Sequence, residues 1–197
     1  MTTQDKYGVR IPTLGFLTGG VGSADEGIPP QPYETFAYDS ALVAASIGDF
    51  NVVPYTSVLP PNIPIYNVDD VKQYFTHGGV LEVIIAGAGA TRDASTQAIV
   101  TGLGLMKSAK TSQGDMVGGY VVEYVQYFDQ QITDADAKQD ATTQLNSSIT
   151  HLLEIRNLTA VSEFEVHYNF LNLDKNHGYC LTCLGFLGFT NASAPSV

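Results

Sequence analysis

The stretch "YCLTCLGFLGFT", residues 179–190, is apolar at odd and even positions alike. A strand of that kind needs cover on both faces, so a single sheet with one wet side cannot hold it. "GGVLEVIIAGAGAT", residues 78–91, is a second strongly apolar strand. Further strands are read at "RIPTLGFLTGG" and "NVVPYTS", and "TQAIVTGLGLMKS" and "MVGGYVVEYVQYF" form a hairpin turning through "AKTSQGD". "EFEVHYNFLNL" alternates, with Phe164, Val166, Tyr168 and Phe170 on one side and Glu165, His167 and Asn169 on the other. That pattern reads as a half-exposed antiparallel strand. Two helices complete the set. One covers "YETFAYDSALVAASIG", with Phe36, Ser40, Val43 and Ile47 sharing a face and Gly48 as its stop. The other begins at Thr133, whose Asp136 makes a capping-box pattern, and buries Ala137, Ala141, Leu145, Ile149 and Leu152. "GVGSADEGIPPQP" and "LPPNIPIYNVDD" read as irregular connections. Many strands and two helices predict one α+β domain over residues 1–197, a layered sandwich with helices outside packed sheets.

Charge narrows the function. Nine basic residues against twenty acidic ones leave a net charge of −11, which argues against a phosphate-backbone partner. No run approaches the roughly 18 apolar residues of a membrane span. "MTTQDKYGVR" lacks the apolar core of a signal peptide, so a cytoplasmic location is expected. Cys180 and Cys183 are three apart on a strand and point to opposite faces, which favours buried structural roles over a shared metal or a bridge. His77, His151, His167 and His177 show no zinc spacing, and no metal is expected. "GGVG" and "GAGAT" complete no phosphate-loop motif and read as turn glycines.

Three carboxylates stand among apolar neighbours. Asp39 has Phe36 at i−3 and Val43 at i+4, placing it at the edge of the expected buried stripe. Glu123 shares its strand face with Val121, Val125 and Tyr127, and Glu82 in "VLEVII" has similar surroundings. Desolvation raises the pKa of such a group and suits it to donate a proton near neutrality. A hydrogen-bonded helix-edge Asp and a solvent-facing Glu are the structural alternatives. "PYTSVLPP", residues 54–61, places Thr56 and Ser57 where a strand stops, either as a turn cap or as a self-modifying pair.

"PPQPYETFAYDSALVAASIGDFNVVPYTSVLPP" resembles the core of the pyruvoyl-dependent arginine decarboxylases, in particular a bacterial branch. The likeness continues through "HGGVLEVIIAGAGAT", "TQAIVTGLG", "EYVQYF" and "GYCLTCLGFL", from about Pro12 to Phe189. Its signature is ordered: an acidic residue in Tyr38–Asp39 ahead of Ala41–Leu42, then Asn51, then a hydroxyl pair before a proline turn. The resemblance implies that Ser57 attacks the Thr56 carbonyl to give an ester. β-Elimination would then leave residues 1–56 and a chain 57–197 that begins with a pyruvoyl group. Asn51 would position or polarise the scissile carbonyl. Better-known members carry Ser–Ser, whereas Thr56 here brings a β-methyl that stiffens χ1.

The resemblance further implies a four-layer αββα sandwich with mostly antiparallel sheets, assembled as a trimer with active sites between subunits. L-Arginine would form a Schiff base on the pyruvoyl ketone and leave as agmatine after losing CO2. Glu123 would protonate the carbanion, and Asp39 would bind the guanidinium as a bidentate partner. Asp25 and Glu26 would add negative potential at the entrance. No other cofactor is required. Three alternatives stand beside this: the same chemistry on another amino acid, an uncleaved oligomer with a scaffolding role, and a nucleotide-binding module built on "GAGAT".

Overall fold

β1 (Arg10–Ala24) and β11 (His177–Asn191) run antiparallel along their whole lengths, from Arg10 opposite Asn191 to Ala24 opposite His177. β4 (Val80–Thr91) lies antiparallel on the other side of β11. Two short strands, β2 (Asn51–Pro54) and β3 (Ile65–Asn67), close the edges by parallel pairing with β4 and β1. The result is a five-stranded sheet in the order β2-β4-β11-β1-β3. These features come from a computed structural model, which describes residues 9–25 and 33–191. Glu26 lies outside the described residues.

A second sheet has the order β10-β5-β8, built from β5 (Ala98–Met106), β8 (Tyr120–Phe128) and β10 (Phe164–Asn172), all antiparallel. The link expected to be a plain turn between β5 and β8 carries two short strands, β6 (Ala109–Thr111) and β7 (Met116–Val117). β6 pairs with β7 on one side and with β9 (Leu158–Ala160) on the other. The link expected to be irregular after Leu59 holds β3 and one short helix, α2 (Val68–Val71).

The layers follow from which faces are apolar. α3 (Asp134–Ile155) starts at the expected capping box, Thr133 and Asp136 each bonding the other's backbone N–H. Its stripe of Ala137, Ala141, Leu145 and Ile149 is buried against the outer face of the smaller sheet. Leu103, Leu105 and Val121 on the inner face of that sheet meet Ile84, Ala86, Leu184 and Phe186 of the larger one. Beyond the larger sheet, α1 (Tyr33–Ala44) covers its outer face through Ala41, Leu42 and Ala45. The order α1, sheet, sheet, α3 is the expected αββα sandwich.

The expected face of α1 is wrong. Phe36, Ser40 and Val43 are exposed, and Ala37, Ala41 and Ala45 point at the sheet instead. The cause is β1, where Gly20 and Gly22 would collide with the helix backbone at Ala41 and Ala37 if they carried a Cβ. Helix and strand approach so closely that only alanines fit between them. Asp39 is therefore exposed, not at the edge of a buried stripe.

Those glycines are mid-strand, as are Gly87 and Gly89 of "GAGAT", which lie under the Tyr179 ring. Neither pair is a turn, so that expectation is corrected. Cys180 and Cys183 are free and buried on opposite faces, as their spacing predicts. β10 also differs from expectation. Its polar side holds His167 and Asn169 beside Leu17 and Thr182 between the two sheets, and does not form an open surface. Among the described residues no helix is long and apolar enough to cross a membrane.

Candidate active site

The segment "PYTSVLPP" passes from one sheet to the other. Pro54 ends β2, and the Tyr55 N–H still donates to the Val83 carbonyl of β4, at 2.5 Å. Two residues later the Ser57 carbonyl accepts the Val121 N–H of β8 at 2.9 Å. Val58 then bridges Tyr120, and Leu59 exchanges two backbone hydrogen bonds with Gly119. The Thr56–Ser57 peptide is thus slung between two sheets, anchored one residue before it and at its own serine.

A second feature bears on chemistry. The Val58 N–H donates to the Thr56 carbonyl at 3.1 Å, closing a three-residue turn around Ser57. The carbonyl that the Ser57 hydroxyl would attack is therefore already hydrogen-bonded, and a donor there stabilises the negative charge that attack places on oxygen. No residue from Pro54 to Pro61 has a left-handed φ. The amide is polarised, with no backbone strain of that kind.

β8 carries Glu123 two residues beyond Val121 on the same strand face, so Glu123 stands along the strand that holds Ser57. Much of its side chain is exposed, yet desolvation by the surrounding protein pushes the carboxyl above the usual carboxylate range. Exposure limits that shift, because an open carboxyl keeps some of its water. The competing carboxylate, Glu82, has other partners. It accepts a 2.7 Å bond from the Arg10 guanidinium, and only 12% of its side chain is exposed. Burial, and next the nearby Glu82 carboxylate, raise the pKa of Tyr55, the residue before Thr56.

The other sequence-predicted residues are not gathered here. Asn51 opens β2, which alone separates it from Pro54 by about 10 Å. Its side-chain amide donates to the Gly78 carbonyl at 3.1 Å. Within one chain it does not reach the Thr56 carbonyl. Asp39 projects from the exposed side of α1. Asp25 accepts the Asn176 N–H at 2.8 Å. A cavity of about 390 Å³, lined by Tyr38, Gly89, Ala90 and Tyr179, lies toward the other end of β4 from Val83. The peptide at Ser57 is the better guide to the site, since cleavage needs a held carbonyl and a hydroxyl, not a large volume. Among the described residues no cluster of three His, Cys, Asp or Glu side chains gathers to hold a metal.

A four-layer αββα sandwich with a Thr–Ser peptide suspended between its sheets is the class that fold and site define. The chain belongs to the pyruvoyl-dependent arginine decarboxylase family, whose model matches residues 14–191. It is 51% identical over 193 residues to a protein of Chlamydia trachomatis serovar L2 named pyruvoyl-dependent arginine decarboxylase AaxB, covering 97% of this chain and 98% of that one. The protein of the same name from Chlamydia muridarum is 50% identical over 188 residues, covering 94% and 96%. A pyruvoyl-dependent arginine decarboxylase of the archaeon Methanopyrus kandleri is 28% identical over 159 residues, covering 79% and 89%.

Proposed function

We propose that the chain cuts itself between Thr56 and Ser57 and, once matured, decarboxylates L-arginine to agmatine. Family membership supports the reaction, and the hydrogen-bonded Thr56 carbonyl in the turn around Ser57 is the observation that carries the position of the cut. The Ser57 hydroxyl supplies both the nucleophile and the group eliminated. The pyruvoyl group left at residue 57 supplies the electron sink for decarboxylation. Glu123 holds a proton that it delivers to the carbon from which CO2 departs, a role supported by its raised pKa and its place on the strand beside Ser57.

Asp39 pairs with the substrate guanidinium, which stays charged at any working pH. An exposed carboxylate holds a cation weakly, so this role calls for cover from another subunit. Val53 and Val58, on either side of the cut, stand exposed, an apolar fringe suited to such cover. A cytoplasmic trimer with sites between its subunits would give Asp39 that cover.

Mass measurement of purified protein under denaturing conditions tests the first half. Two chains, 1–56 and 57–197, are expected, the second blocked to N-terminal sequencing. A single full-length mass after prolonged incubation overturns it. A decarboxylation panel of arginine, citrulline, lysine, histidine and aspartate tests the second half, with arginine fastest. Citrulline keeps the shape without the charge and is expected to be poor.

A further inference from the structure

Ser57, Val58 and Leu59 lie antiparallel along the start of β8, on the edge opposite to β5. The Val121 N–H donates to the Ser57 carbonyl at 2.9 Å, Val58 bridges Tyr120, and Leu59 exchanges bonds of 2.9 and 3.1 Å with Gly119. Leu59 is buried between the sheets in one cluster with Val121 and Phe186. Next to this pairing stands Gly118, where a Cβ would lie 1.9 Å from the Leu59 carbonyl oxygen and 3.1 Å from the Pro60 carbonyl carbon. Gly118 has no left-handed φ, so its conformation does not by itself call for glycine. The closeness of residue 59 does. Both obstacles are backbone atoms, which cannot swing aside as the end of a side chain would. Gly119 leaves no room to retreat, since a Cβ there would lie 2.1 Å from the Met106 carbonyl oxygen of β5.

We propose that Gly118 is a positioning residue for the self-cleavage, its missing side chain letting residues 57–59 dock on β8 and so fixing the serine side of the scissile peptide. The inference rests on the cleavage proposed above. An alanine at 118 would meet the Leu59 carbonyl at 1.9 Å, where ordinary contact begins at 3.4 Å, so the docked segment must back away from β8. Ser57 belongs to the same short ladder and moves with it. Attack on a carbonyl needs the reacting groups near 3 Å, and a displacement of about 1 Å can cost 10²-fold. The dock serves a second time. Once residue 57 is a chain end it loses its tether through Thr56, and the bonds from Val121 and Gly119 are what keep it on the strand that carries Glu123.

The experiment follows conversion of freshly made full-length precursor by mass under denaturing conditions. Gly118→Ala is expected to slow the cut by about 10²-fold. Amide hydrogen exchange, read in a Ser57→Ala background that stays whole, separates docking from general stability. With Gly118→Ala added, the Leu59, Gly119 and Val121 amides are expected to lose protection while those of β11 keep theirs. Should Gly118→Ala fail to fold, a second variant decides the matter. An ester oxygen in place of the Leu59 N–H, introduced as the hydroxy acid during translation, deletes one bond of the dock and adds no bulk. It is expected to slow cleavage roughly two- to tenfold. A wild-type rate of cutting in either variant overturns the inference and leaves the cleavage intact. Loss of protection spread evenly through β11 does the same, because it marks general destabilisation. A wild-type chain that stays whole overturns both.

Discussion

The sequence contains Thr–Ser twice, at residues 56–57 and 111–112, and the fold treats the two in opposite ways. Thr111 ends β6, opposite Leu158 of β9, and Ser112 opens the tight turn to β7, where the turn's own bonds are local. The Thr111 N–H donates to the Asp115 carbonyl, the Gly114 N–H donates back to Thr111, and the Ser112 hydroxyl reaches Gln113 next door. Around Thr56 and Ser57 the one local bond is the turn at the Thr56 carbonyl; the Ser57 carbonyl is tied to β8 and the preceding Tyr55 to β4, both distant in sequence. A hydroxyl pair acquires chemistry here through its anchors. Local turn propensity, shared by both sites, does not supply it.

The largest expected effect tests that contrast directly. Ser57→Ala has no hydroxyl to attack or eliminate, so cleavage is expected to vanish and mass analysis to show only the full-length chain. Next comes Glu123→Gln, which preserves shape and the cut but should lower turnover by about 10²–10⁴-fold, the usual contribution of a positioned acid. The same residue sets a pH dependence. Its raised pKa means the protonated, donating form persists to higher pH than for an ordinary carboxyl, and turnover falls as pH rises through that value. Glu123→Gln should flatten that alkaline limb in a pH–rate profile, whereas a limb unchanged in the variant would assign it to another group.

Asp39→Asn should be milder. It removes one charged partner of the guanidinium, so KM for arginine is expected to rise about tenfold or more while the cut proceeds. Steady-state assays on the matured protein measure this, and an unchanged KM would dismiss Asp39 as the guanidinium partner. Smallest of all is Ser112→Ala, expected to leave both the rate of cleavage and turnover at wild-type values. A loss there would erase the distinction between the two dipeptides.

Much of the fold was legible because it is written in local pattern. α3 declares itself by Thr133 and Asp136 at its start and by alanines and aliphatics every four residues. β11 is apolar throughout and is covered by α1 on one face and by the smaller sheet on the other. α1 misled for a physical reason. Its most apolar side chains, Phe36 and Val43, are exposed, because the glycines of β1 select small side chains for the buried face, and those glycines lie on another element. The polar side of β10 misled likewise, since alternation cannot tell water from a polar seam between sheets. At the site, Ser57 was found through an ordered set of residues that resembles a family. The bond from Val121 to the Ser57 carbonyl and the Arg10–Glu82 pair, 72 positions apart, join residues distant in sequence and leave no trace in local spacing.

The position of β1 governs what happens after the cut. Residues 1–56 would hold β1, α1 and β2, and β1 lies inside the larger sheet with β11 on one side and β3 on the other, both belonging to residues 57–197. The severed piece is interleaved with its counterpart. Release would require unzipping β1 from β11 along its full length and exposing the alanine face of α1 at the same time. A nick there would therefore leave hydrodynamic size unchanged in native buffer, and the two pieces would travel as one particle until a denaturant separated them.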